Sequence, residues 1–146
     1  MAAITSGEIL LKRSIKTGTA GNQSAQTDAN ASLGKYISTT QWTGGSANDL
    51  FDDISGAENA ASTVDYRCIF VHNSNAANAL QNAVVYLSSE VAGGASIAVG
   101  ADTTAASALG SASAQALEVA NETTAPSGVS FSSPTTAGAG LSLIHI

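Results

Sequence analysis

In the stretch DYRCIFVHNSN, Asp65 to Asn75, the single cysteine of the 146-residue chain and one of its two histidines stand four residues apart. A reactive thiolate needs a neighbouring base and an electropositive setting. On an extended strand Cys68 and His72 share a face but lie about 13 Å apart, at ~3.3 Å of rise per residue, too far to pair directly. Cys68 is therefore read as a core cysteine, since a free thiol packs as a small hydrophobe. His72 is read as a surface residue at a strand end.

A second group with chemical potential is acidic: Asp49, Asp52, Asp53 and Glu58 in NDLFDDISGAE. Hard cations such as calcium take several carboxylate and carbonyl oxygens from one loop, so these four residues are a weak calcium candidate. Their spacing departs from the alternating acidic positions and closing glutamate of an EF-hand loop. The competing reading is a solvated loop whose aspartates cap a turn. No phosphate-cradling glycine loop, zinc-ligand spacing or Ser-His-Asp set can be assembled from this inventory. The eleven carboxylates include no pair placed beside the aromatic platforms that a sugar-cleaving cleft would want. Neither an enzyme nor a cofactor-dependent protein is expected.

Composition narrows the class further. The chain is 44% hydrophobic but only 11% charged, and Ala, Ser, Thr and Asn fill the tracts where Lys and Glu are usual. Serine, threonine and asparagine compete for backbone hydrogen bonds and favour turns and strands over helices. The net charge is −6, and every basic residue (Lys12, Arg13, Lys16, Lys35 and Arg67) lies in the first half. Phosphate backbones are bound through clustered cations, so nucleic-acid binding is not expected. The small group Lys12, Arg13 and Lys16 reads as a solvated or edge strand whose charges discourage pairing. One cysteine cannot close an intramolecular disulfide, and no stretch has the roughly 18 to 20 apolar residues of a membrane span. With no signal-type N-terminus the chain is expected to be made in the cytoplasm, away from membranes.

The elements that would carry these residues are short. Glu8 to Ile15 (EILLKRSI) reads as a first strand, and Leu33 to Trp42 (LGKYISTTQW) as a second, rich in β-branched and aromatic residues. Between them, residues 17 to 32 read as a long loop. Thr43 to Thr63 reads as a loop with one helical turn, plugged onto the core by Leu50, Phe51 and Ile54. In Tyr66 to Val71 alternate side chains fall on opposite faces, and both faces are largely apolar, which predicts a central strand. Asn73, Ser74 and Asn75 then supply turn chemistry. Further strands are expected at Gln81 to Glu90, Ser96 to Val99, Gln115 to Ala120 and Gly128 to Ser132, with a turn at Ala92 to Gly94 and a low-complexity loop over Ala101 to Ala114. Seven short strands separated by Gly, Asn and Ser predict an all-β chain folded as an antiparallel β-sandwich, Ig-like or jelly-roll-like, with a small open β-barrel as the alternative.

The last six residues, LSLIHI, match the translated mosaic end of a transposase-based DNA library adapter. Residues 1 to 140 are accordingly expected to form one β-sandwich domain, and 141 to 146 to be an adapter-derived tail on a truncated metagenomic reading frame. His145 then carries no functional weight.

Three stretches, YRCIFVHNSN (Tyr66 to Asn75), NAVVYLSSE (Asn82 to Glu90) and ANETTAPSGVSFSSP (Ala120 to Pro134), together resemble a group of small phage and prophage virion proteins of β-sandwich type. The resemblance covers roughly Leu50 to Thr136, and the third stretch is its more specific part. Such proteins continue with a Gly-Pro turn and an Arg-bearing strand that this chain lacks, which agrees with truncation. The resemblance implies a structural component of the head, neck or tail surface, working without catalysis by packing against copies of itself, as a homo-oligomer, or against other virion proteins. Tyr36, Trp42 and Phe51 are the interface candidates, since aromatics enrich at binding hot spots, with sandwich core as the competing role. A rival of another class is an adhesin-like module that binds host-surface glycans through exposed aromatics near Asn and Asp.

Overall fold

The computed structural model describes residues 3–18, 24–90, 95–102 and 114–143. Among the described residues strand is the main regular structure and helix is confined to one six-residue segment and two short 3-10 turns, the make-up of an all-β chain. A three-stranded antiparallel sheet is formed by β1 (Ile9–Ile15), β2 (Tyr36–Gln41) and β3 (Ile69–Asn73) in the order β2-β1-β3. The helix α1 (Gly56–Ala61) follows β2. A two-stranded antiparallel sheet pairs β4 (Ala83–Val85) with β5 (Leu141–Leu143).

The centre of the larger sheet corrects the sequence-based assignment. β1, which carries Lys12 and Arg13 and is followed by Lys16, is the middle strand, and the apolar β3 pairs with β1 alone among the described residues. The physical reason is that faces and edges are independent: apolar side chains on both sides of a strand report how its faces are covered, whereas centrality depends on which backbone groups are paired. A cation can also sit on an interior strand once its charge is compensated, as Arg13 shows below.

Loss of regular pairing around Ser14 is repaired by hydroxyl groups. The β1–β2 register slips between Lys12 and Ser14, and three small side chains there, Ser14, Ser32 and Ser38, are completely buried. Ser14 and Ser32 both donate to the Cys68 carbonyl, at 2.8 and 2.7 Å. The Ser14 amide donates to Ser32 Oγ at 3.0 Å, and the Gly34 amide to Ser14 Oγ at 2.8 Å. Ser38 Oγ donates to the Arg13 carbonyl at 2.8 Å. Buried backbone groups must find partners, and here serine supplies what the ladder does not. Gly34 has a positive φ of 84°, and a Cβ there would collide with the Leu117 carbonyl, so only glycine fits.

The apolar core is small: among the described residues only Ile37 and Val119 are fully buried hydrophobic side chains. Val119 belongs to Gln115 to Ala120, expected as a strand. It instead runs irregularly beside β2, with the Gln115 and Ala116 amides donating to Lys35 O and the Val119 amide to Leu33 O. Of the other expected strands, Gln81 to Glu90 shortens to β4, and Ser96 to Val99 and Gly128 to Ser132 reduce to one bridge between Val99 and Ser132. Alternating patterns in these segments had no long partner strand against which to extend. The turn expected at Ala92 to Gly94 and most of the loop over 101–114 lie outside the described residues. The loop 24–32 is irregular as expected, and α1 is the single helical turn foreseen within 43–63.

Candidate functional site

Two of the side chains singled out as chemically capable, Asp49 and Asp52, lie where the loop 43–55 meets the sheet, and what holds them is a pair of arginines. Arg13, on β1, is 7% exposed. Its Nη1 donates to the carbonyls of Gln26 and Thr27 at 3.2 and 3.3 Å, and its Nη2 pairs with Asp49 Oδ1 at 2.6 Å and also donates to the Asp49 carbonyl. Asp49 Oδ2 in turn accepts from the Gly44 amide at 3.1 Å. Arg67, just before β3, is more deeply enclosed, its side chain being 1% exposed. It donates to Leu50 O (3.1 Å), Tyr66 O (3.1 Å) and Asn30 Oδ1 (2.9 Å), and pairs with Glu122 at 3.1 Å and Asp52 at 3.4 Å. Its guanidinium carbon lies 5.3 Å from the centre of the Phe51 ring, within cation–π range. The planar, multiply donating guanidinium suits this work, because one buried group can satisfy carbonyls and carboxylates from several segments.

The four carboxylates of the calcium candidate are thereby dispersed. Asp49 goes to Arg13 and Asp52 to Arg67, while Glu58 closes a capping box at the start of α1, accepting from the Ser55 amide at 2.7 Å as Ser55 Oγ accepts from the Glu58 amide at 3.2 Å. That hydrogen bonding to Ser55 holds the Glu58 carboxyl below its ordinary pKa. Asp53 is exposed. Among the described residues no three Asp, Glu, His or Cys side chains gather to hold a metal ion. The capping of α1, expected of the aspartates, is done instead by Glu58, while Asp49 ties the loop to β1.

Cys68 and His72 are likewise placed for packing. Cys68 is half-buried, and desolvation pushes its thiol pKa up to about 11, against a smaller opposing pull from the Ser14 hydroxyl. A thiol so raised is a poor nucleophile at neutral pH. His72 is half-buried in β3, opposite Leu10 and one residue from the strand's end; desolvation and the nearby Lys12 charge lower its pKa and favour the neutral ring. The turn after β3 behaves as its residues suggest: Asn73 Oδ1 accepts from the Asn75 amide, and Asn75 Oδ1 from the amides of Ala77 and Asn78. Asn75 Nδ2 also reaches Glu8 Oε1 at 2.6 Å, fastening the turn to the start of β1.

The three interface candidates differ in accessibility. Tyr36 and Trp42 are half-buried at the ends of β2, whereas Phe51 is 41% exposed beside Arg67. Ile54, expected to plug the core with Phe51, is also exposed, so only Leu50 of the three is drawn partly inward. Sequence reasoning missed Arg13 and Arg67 as organisers, although an arginine in an apolar strand preceded by an acid-rich loop was a usable signal. The buried serines left no signal in a chain so rich in serine. Among the described residues no helix is long and apolar enough to cross a membrane. No family model, no curated protein and no solved structure matches this chain.

Proposed function

We propose that this chain is a structural component of a bacteriophage virion, of head-decoration, neck or tail-surface type, with its strands completed into an antiparallel β-sandwich. It works by packing against copies of itself and against other virion proteins, made in the host cytoplasm and carried in the particle, with no catalytic step, cofactor, nucleic acid or membrane involved. The observation that carries the reading is the resemblance of residues Ala120 to Pro134, together with Tyr66 to Asn75, to such proteins. Its support from the geometry is that the polar side chains able to do chemistry are engaged in holding segments together: two buried arginines clamp a loop, and the one thiol is poorly ionisable.

Mass spectrometry of purified virus particles tests this directly through the tryptic peptide from Tyr36 to Arg67. Abundance comparable to the major capsid protein supports decoration or tail-tube placement, and a low but definite level supports a neck or tail-tip part. Absence from particles with detection in the cell fraction rejects the virion reading. A second reading, binding of host-surface glycans, is favoured by one observation: Phe51 stands exposed in the Asn- and Asp-rich loop. Binding of the purified chain to a glycan array, lost in Phe51→Ala, would support it.

A further inference from the structure

The two outer edges of the larger sheet are treated differently. Along β2 the edge is sealed by the chain itself: the Thr39 amide donates to Ser24 O, the Gln26 amide to Thr40 Oγ1, and the Ile37 amide to Gln115 Oε1, while residues 115–119 bond to the carbonyls of Lys35 and Leu33. β3 has no such cover. Because the Trp42 amide donates to Leu11 O, the alternation of an antiparallel ladder turns Leu10 and Lys12 toward β3, where they pair with His72 and Phe70. Ile69, Val71 and Asn73 therefore direct their backbone N–H and C=O groups outward, and these meet no partner among the described residues. All five β3 residues are only half-buried. The strand contains none of the lysine, proline or bulge by which natural edges are blunted.

The geometry points to β3 as a self-pairing edge: two copies of this chain join their β3 strands antiparallel about a two-fold axis at Val71, making one six-stranded sheet in the order β2-β1-β3-β3-β1-β2. For its partner this rests on the self-packing part of the proposed function. In that register Val71 faces Val71 of the second copy and Ile69 faces Asn73, so every outward backbone group gains a complementary one. Charge favours the same choice. A chain of net charge −6 repels its own copy over much of its surface, but β3 carries no acidic residue, and no like-charged pair falls opposite.

The test is sedimentation of the full chain over a concentration series, with amide hydrogen exchange read residue by residue. A dimer is expected, in which the amides of Ile69, Val71 and Asn73 gain protection in step with dimer formation. Val71→Lys, which keeps every hydrogen bond within the chain but sets two like charges face to face, should weaken the dimer by about tenfold or more; Val71→Thr should preserve it. A monomer at all concentrations overturns the inference, and so does a dimer whose three outward amides exchange as freely as in the monomer. Should the lysine variant misfold, the exchange of the wild-type chain still decides. Either failure leaves the virion reading standing, because that is judged by presence in particles.

Discussion

The halves of this molecule before and after residue 75 are built by different means. The first contains all five cations, and four of them are engaged: Arg13 and Arg67 in buried clamps, Lys16 and Lys35 on Glu118 at 3.0 and 2.7 Å. It also contains the three-stranded sheet and the buried serines. The second half has no Lys or Arg and, among its described residues, two three-residue strands and one isolated bridge, and it is tied to the first largely through Glu118, Glu122 and the amides of 115–119. The difference teaches that with so few fully buried apolar side chains, order here follows the supply of strong multiple donors more closely than it follows hydrophobicity.

The most damaging test of that contrast is Arg67→Ala. Its carboxylate partners are 44% and 41% exposed and can turn to water, so the loss falls on the hydrogen bonds to Leu50 O, Tyr66 O and Asn30 Oδ1, and about 3 kcal/mol is expected in urea unfolding. An unchanged midpoint would mean that the clamp holds nothing. Next is Gly34→Ala, which must shift the Leu117 carbonyl and carry a side chain at positive φ; about 2–3 kcal/mol is expected. Ser32→Ala removes one of two donors to the Cys68 carbonyl and the acceptor of the Ser14 amide, for a loss of about 1–2 kcal/mol. In the second half Phe131 is 42% exposed and meets Tyr66 edge-on, ring centres 5.5 Å apart, so Phe131→Ala should cost about 1 kcal/mol or less. A loss as large as that of Arg67→Ala would erase the contrast between the halves.

Smallest at neutral pH, because it appears only on alkalinisation, is the effect of Cys68 ionisation. The Cys68 thiol has a raised pKa, so the folded state keeps its proton where the unfolded chain gives it up. Its contribution is complete below the ordinary value of 9.0 and declines as pH rises toward about 11. Urea midpoints should fall across that window in the wild type, and Cys68→Ala should remove this part of the decline. Glu8, Glu58 and Glu118 have the opposite sign: each carboxyl is held below 4.5 by its hydrogen bonds, so its small contribution is present at neutral pH and lost on acidification.

How far the residues foretold this arrangement can be judged from particular segments. β1 lies within the predicted Glu8 to Ile15, and β2 within Leu33 to Trp42, because clusters of β-branched and apolar residues bounded by turn formers are a local signal. The turn at Asn73 to Asn75 was equally legible, since asparagine bonds its own neighbours. The strands beyond residue 75 were overestimated, because alternation marks a segment that could pair and says nothing about whether a partner is in reach. The calcium candidate did not gather as a site for a similar reason: an acid-rich loop looks the same whether its carboxylates turn toward a cation or toward two arginines.

By itself, then, the sequence determined the all-β class, the places of the first two strands and the turn after the third, since these follow from local conformational preference. The tertiary structure alone decided that a cation-bearing strand is central and an apolar one is an edge. It also decided that Arg13 and Arg67 rather than a metal gather the acidic loop, and that serines complete the buried hydrogen bonding. Those outcomes depend on which distant groups meet, as Arg13 meets Asp49 and Arg67 meets Glu122, and a long-range pairing of charges or hydroxyls leaves no periodic mark along the chain.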